Sequence, residues 1–333
     1  MTLLRPATTG HNAPRYAARL NAFKIGLPDK PTAIDMLRRA ASVDGLNAAD
    51  LNFPDHFEHH DAAGMAAVMG DLGIALNGLA MRYYTHPGFR LGAFTHPDPA
   101  VRQQAIDVTR KGLDTLKAMG GSLMTLWMGQ DGFDYAFQGN YRQMWDDTIA
   151  ALQSVCDHDP SIDIAIEYKV NEPRAYALMP DIGTTLLAIK ETDRPNLGVT
   201  LDFAHVLYAD EMPAHTAHLI GRHSRLLGVH LNDGYGKRDD GLMIGSVHPV
   251  QTVELLVELA RMGYDGALYF DTFPDHGGLD PCKEAATNIQ MVERLKAVAA
   301  TLVDDKALAE AISRQDATDS LRIVSDKLFG ARP

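Results

Sequence analysis

Apolar residues in this chain come in short unbroken runs separated by longer stretches of helical period. The runs are 23–27 (FKIGL), 47–53 (NAADLNF), 75–83 (ALNGLAMRY), 122–129 (SLMTLWMG), 162–169 (IDIAIEYK), 196–203 (NLGVTLDF), 226–232 (LLGVHLN) and 266–272 (GALYFDT). Continuous rather than alternating apolarity predicts strands covered on both faces, as in a parallel sheet. Amphipathic spacing between the runs predicts helices at 31–42, 60–72, 99–119, 140–157, 180–192, 213–224 and 249–262. The third opens with Asp98-Pro99, a capping residue followed by proline at the first helical position. Strand and helix alternate through to a helical tail, which is the element order of a single (β/α)8 TIM barrel of the α/β class. We place the barrel at 1–285, including an N-terminal arm. Residues 286–333 form a C-terminal helical extension: the last barrel helix plus helices that cap the barrel or bind a neighbouring subunit.

A chain of 333 residues fits one such barrel with appendages. No run of about 18 apolar residues signals a membrane span. The first twenty residues lack the apolar core of a secretory leader, so a cytoplasmic location is expected. The two cysteines, Cys156 and Cys282, read as a reduced pair, with Cys282 in a helix opened by Asp280-Pro281. A formal net charge of −12 repels nucleic acid and anionic membranes and argues against a heavily phosphorylated substrate. No Gly-rich phosphate loop supports a nucleotide cofactor.

Four of the strands carry a metal-binding residue type at their C-terminal ends: Glu167, Asp202, His230 and Asp271. A carboxylate in a buried strand is costly unless paired or bound to a cation. Strands ending at one rim can bring three acids and one imidazole together. That donor set suits Mn²⁺ first, with Co²⁺ and Mg²⁺ as alternatives. Lys169 follows Glu167 at strand period two, so both side chains face the barrel mouth. His205 lies just past Asp202, and Asp239-Asp240 return an acidic pair after the seventh strand. The long segments 84–98 and 233–248 follow strand C-termini, where barrel enzymes build their sites.

These motifs resemble those of the xylose isomerase-like TIM barrels, and among them bacterial L-rhamnose isomerases of broad sugar specificity. The resemblance runs over roughly 90–285. It rests on E-Y-K-V-N-E-P (167–173), L-D-F-A-H (201–205), H-L-N-D…D-D-G-L…G-S (230–246) and F-D…D-P (270–281), with F-T-H-P-D-P-A-V-R (94–102) and T-L-W-M-G (125–129) upstream. It implies that Glu167, Asp202, His230 and Asp271 hold a structural metal and that His205 and Asp239 serve a catalytic one. It further implies that Lys169 contacts the substrate carbonyl, that Trp127 walls the pocket and that His96 contacts the sugar ring oxygen. Lys169, His205, Asp239 and Glu167 form the catalytic set. Asn52, Asp55 and His56 are expected at the substrate from position alone. One departure stands out: Gly241 occupies the place of a second acid in the family's D-x-D. This leaves a second metal open unless Asp240 or Asp233 substitutes.

The expected activity is aldose–ketose isomerisation of an unphosphorylated sugar, by hydride shift or by proton transfer through an enediol. The expected assembly is a homo-oligomer, dimer or tetramer. Three other readings use the same residues: a ketose 3-epimerase, a deprotonating lyase on a keto-sugar or glycoside, and a non-catalytic metal-binding barrel. Asp271, where 3-epimerases carry Glu, weighs against the first. Lys169 and His205 weigh against the last. A metal-dependent endonuclease is disfavoured by the acidic charge.

Overall fold

The computed structural model describes residues 15–330. Most of the expected N-terminal arm and the last three residues of the tail lie outside the described residues. Eight parallel strands close a barrel: β1 (Tyr16–Arg19), β2 (Ala48–Phe53), β3 (Ala75–Met81), β4 (Leu123–Leu126), β6 (Asp163–Glu167), β8 (Leu197–Asp202), β9 (Leu226–Leu231) and β10 (Leu268–Phe270), which pairs back onto β1. A two-stranded antiparallel ribbon, β5 (Gly132–Phe133) and β7 (Tyr176–Ala177), joins the segments that follow β4 and β6. The (β/α)8 architecture expected from the sequence is the one observed.

One strand differs. The apolar run 23–27 is not the first strand. A 3-10 turn occupies Leu20–Lys24 and buries Leu20, Ala22 and Phe23. The strand is the preceding Tyr-Ala-Ala-Arg. Closure decides this. Ala17 pairs with Ala48 on one side and Tyr269 on the other, and these three side chains form their own small buried cluster. Small side chains fit that narrow interior, although alanine pairs favour helix by propensity.

The outward-facing residues of the strands, such as Leu51, Leu79, Met124, Ile166, Val199, Leu231 and Phe270, build the main core against the helices. The interior is more polar than the branched aliphatic layers usual in such barrels. Asp50, Asn77, Thr125, Thr200 and His230 border a cavity there.

Helices α1 (Ala33–Ala40), α2 (Ala62–Leu72), α3 (Pro99–Ala118), α4 (Tyr141–Cys156), α5 (Ile182–Thr192), α6 (Phe203–Tyr208), α7 (Pro213–His223) and α8 (Pro249–Met262) lie between or after the strands. Their starts follow local chemistry. Thr32 and Asp35 form a capping box on α1, and Asp98 caps α3 ahead of Pro99. A single turn, α9 (Pro274–Gly277), precedes α10 (Pro281–Leu302), which opens at Asp280-Pro281 as read from the sequence. α10 buries Ala285, Asn288, Val292, Leu295, Ala299 and Leu302, a three-four spacing that makes one stripe. α11 (Lys306–Ser313) and α12 (Ala317–Phe329) complete the described chain. Both cysteines are free, and no helix among the described residues is long and apolar enough to cross a membrane.

Candidate metal centre

Parallel register brings the strand ends level. Asp202 pairs with His230, and the residue after His230 pairs with Phe270, one short of Asp271. Glu167 ends β6, beside Thr200 of β8. One donor atom from each of Glu167, Asp202, His230 and Asp271 lies within 4.8 Å of the other three. Donors on opposite sides of one divalent ion are up to about 5 Å apart, so this spacing fits a single ion.

The electrostatics fit as well. His230 Nδ1 stands 3.2 Å from Glu167 Oε1, 3.8 Å from Asp202 Oδ2 and 4.0 Å from Asp271 Oδ2. Burial disfavours the His230 imidazolium, but Glu167 and the other carboxylates outweigh it and hold the pKa up at about 10. Burial and the charge of Glu167 push Asp271 up to about 7. Burial also raises Asp202 above the ordinary value, against the pull of His205. Glu167 resists its own burial through His230 and stays below the ordinary carboxylate value. Asp271 Oδ1 is buried without a hydrogen-bond partner. Crowded acids that share one imidazolium and leave an oxygen unpartnered are what a cation would relieve. We therefore expect Mn²⁺ binding at pH 7 to release at least one proton, chiefly from His230. Calorimetry in buffers of different ionisation enthalpy measures this, and proton-neutral binding would contradict it.

Neighbouring groups hold the donors. Asn232 Nδ2 donates to both oxygens of Asp202, at 3.1 and 3.0 Å, and to the Asp271 carbonyl at 3.1 Å. Asp202 also caps α6 by accepting from the His205 backbone N–H. Arg19, at the end of β1, donates to the Thr272 carbonyl, stacks on Phe273 and stands 3.9 Å from Asp271. Sequence reasoning missed both Asn232 and Arg19. Asn232 sits inside the motif that was read for its histidine, and Arg19 ends a strand that was misplaced.

Beside the four donors is a second constellation. Lys169 Nζ contacts Asp239 Oδ2 at 3.0 Å and Glu172 Oε2 at 2.9 Å, and lies 5.5 Å from the Trp127 ring centre. His205 Nε2 is 3.2 Å from the same Asp239 oxygen. Its Nδ1 faces the Tyr168 carbonyl at 3.1 Å and stands 3.7 Å from Glu167. Burial opposes charge on Lys169, but Asp239 and Glu172 overcome it and raise its pKa. Carboxylates likewise override burial at His205 and lift it to about 9. His205 and Lys169 hold Asp239 below the ordinary range despite its burial. Lys169, His205, Asp239, Glu167 and Trp127 are thus brought together. Trp127, Glu167, Lys169 and Glu172 line one pocket with Ala177 of the ribbon.

The other expected substrate residues are placed differently. His56 is buried, accepts the Asn52 backbone N–H at Nδ1 and reaches Asn21 Oδ1 from Nε2 at 2.8 Å. Burial, reinforced by Arg82, lowers its pKa to about 3 and keeps it neutral. Asn52 Nδ2 lies 3.4 Å from His56 Nε2. Asp55 accepts from Thr85. His96 is partly buried, and its Nδ1 accepts the Asp98 backbone N–H. The geometry ties these side chains into the strand-end loops.

The substitutes for the missing second acid are engaged elsewhere. Asp233 accepts from the backbones of Gly234, Val247 and His248 and from His248 Nδ1. Asp240 accepts from the Tyr235 backbone and pairs with Arg238. Gly241 has φ +56°, and a Cβ there would meet the Phe273 ring at 2.3 Å. Gly241→Asp should therefore add no cation to the binding stoichiometry, while lowering stability by about 1–3 kcal/mol through strain and overpacking. Mn²⁺ titration and urea unfolding check both parts.

A closed parallel barrel whose strand ends gather this acid–imidazole cluster defines a class. The sequence model described as xylose isomerase-like TIM barrel matches residues 37–296, and the chain belongs to that family. Among its relatives are a xylose isomerase of Thermus thermophilus, 29% identical over 209 residues, and a probable sugar isomerase of Rhizobium meliloti, 31% identical over 238 residues. The alignments cover 61% and 69% of this chain and 54% of each relative. The chain thus spans about half the length of the curated relatives it matches. Solved structures share the fold. A D-tagatose 3-epimerase-like protein superposes with TM-score 0.71 at 15% identity, over 87% of this chain and 99% of its own. An L-ribulose 3-epimerase gives 0.69 at 14%, over 89% and 99%.

Proposed function

We propose that this protein is a divalent-metal-dependent aldose–ketose isomerase acting on an unphosphorylated sugar. The observation that carries the reading is Lys169: a buried ammonium held next to the four-donor cluster without belonging to it. A barrel that only stored a cation would have no use for a charge of the same sign there. Glu167, Asp202, His230 and Asp271 would hold the ion, Mn²⁺ first. When bound, it supplies a Lewis acid and a template for two neighbouring sugar oxygens.

The chain's own groups do the rest. Lys169 donates to the carbonyl oxygen as it gains charge. Asp239 and Glu172 hold that ammonium in place. His205, charged beside Asp239, gives a proton to one sugar oxygen and takes one back from the other. Trp127 gives the pocket an apolar wall. Near the cluster, Lys169 and Arg19 already face carboxylates, which supports a substrate without phosphate. His205 and Asp239 lie outside the four-donor group, and Lys169 already neutralises Asp239, so one ion is sufficient for this reading. We further propose a barrel body of 1–285 carrying 286–333 as its last helix and appended helices, assembled as a homo-oligomer.

The test is a panel of unphosphorylated pentoses, hexoses and deoxyhexoses, each with Mn²⁺, Co²⁺ or Mg²⁺ after chelation. Aldose–ketose interconversion supports the reading. Interconversion of ketoses at C3 alone would replace it with a 3-epimerase. Deuterated solvent then separates proton exchange, which labels the product, from a hydride shift, which does not.

A further inference from the structure

Asp50 plays no part in the reading above. It lies within β2, 5% exposed, and its Oδ1 is buried without a hydrogen-bond partner. The Asn77 side chain and the Gly78 backbone N–H face the carboxylate. Thr200, on β8, has a second buried oxygen, Oγ1, in the same condition. Both residues border one cavity of about 10 Å³ in the barrel interior, and His230 forms part of its wall. A space of about 10–15 Å³ admits one water, provided two to four polar groups receive it. Three are at hand.

His230 supplies the third by its orientation. Its Nδ1 faces the ligand cluster, where the carboxylates within 4.0 Å belong to Glu167, Asp202 and Asp271. The planar ring sends Nε2 the opposite way, away from those acids. A ligand histidine usually has its second nitrogen fixed by a carboxylate, a carbonyl or a water.

We propose that this cavity is a structural water site through which Asp50 acts as a positioning residue for His230. The water accepts from His230 Nε2–H and donates to Asp50 Oδ1, and Thr200 Oγ1 completes its hydrogen bonds. The relay keeps the proton on Nε2, leaves the Nδ1 lone pair aimed at the cluster and strengthens it as a donor. The inference rests on the cation reading of that cluster, and its test separates the two.

Mn²⁺ affinity is measured for wild type, Asp50→Asn and the near-isosteric Thr200→Val. In Mg²⁺-loaded protein with ¹⁵N-labelled histidine, the exchange of the His230 Nε2 proton is followed by NMR. Asp50→Asn should bind Mn²⁺ about 10–100-fold more weakly, the range seen for outer partners of metal ligands, and its His230 Nε2 proton should exchange faster. Thr200→Val should move both readouts the same way by a smaller factor, and it carries the test if Asp50→Asn fails to fold. Wild-type binding matched within twofold by Asp50→Asn, with an unchanged Nε2 proton, would overturn the relay alone. Absence of Mn²⁺ binding by the wild type would overturn the cluster reading and the relay together.

Discussion

Asp271→Asn should blunt the protein's response to metal ions: the variant is more stable than wild type in chelator and gains much less stability from Mn²⁺. The reason lies in the Asp271 carboxyl, raised from 3.8 to about 7 by burial and the charge of Glu167. An acid whose folded-state pKa lies above its unfolded value destabilises the fold as pH rises. The loss begins near pH 4, grows toward pH 7 and is complete above it. By that linkage the ionised group opposes folding by on the order of a few kcal/mol at pH 8. Asparagine cannot ionise, so the variant escapes the loss. It also removes one of four donors, and Mn²⁺ affinity should fall by more than the roughly 100-fold typical of outer partners. At a hundredfold excess over its dissociation constant, Mn²⁺ stabilises the wild type by about 2.7 kcal/mol and the variant by little. Urea unfolding at pH 8, with EDTA and with Mn²⁺, reads both effects. Equal stabilisation of both proteins by Mn²⁺ would rule Asp271 out as a donor.

Lys169→Met separates binding from turnover. Methionine keeps most of the length and the contact with Trp127 but loses the ammonium. The Glu172 side chain is partly exposed and can find water. Asp239 retains His205 as a partner. Mn²⁺ affinity should stay near the wild-type value or rise, because a nearby positive charge has gone. Turnover of the sugar identified by the panel should drop by about 10²–10³-fold, the loss seen when a single oxyanion donor is removed. The fall should appear in kcat, because the interaction strengthens as charge develops on the oxygen. Full activity in this variant would remove Lys169 from the reaction.

The ligand set was legible because a charged residue inside an apolar strand has few innocent explanations. Glu167, Asp202, His230 and Asp271 each break such a run near its end, and parallel register then does the gathering. The same rule applied to NAADLNF would have picked out Asp50, where attention went to Asn52. The first strand was misread for a different reason. Of Tyr-Ala-Ala-Arg only Ala17 lines the narrow interior, while Tyr16 and Ala18 join Leu20 and Phe23 in the outer core, and four residues are too few to make an apolar run. Periodicity reports burial, and here the strand and the turn that follows it are both buried. The contact between Lys169 and Asp239 crosses 70 residues of chain. No local pattern encodes that pairing: the sequence places both residues at the barrel mouth, and the family resemblance gives them separate roles. That His56 would be fixed by Asn52 and Asn21 was likewise invisible, since strand-end position says nothing about which way a ring turns.

Trp127 and Trp145 are the chain's two tryptophans. Trp145 belongs to the helical layer, with its indole N–H on Glu191. Trp127 meets an ammonium over its face and Tyr84 at 4.9 Å. Exchanging Trp145 for phenylalanine leaves a single tryptophan, at the mouth. Its fluorescence then registers each arrival there as a change in colour or brightness, so the molecule carries its own optical gauge of occupancy.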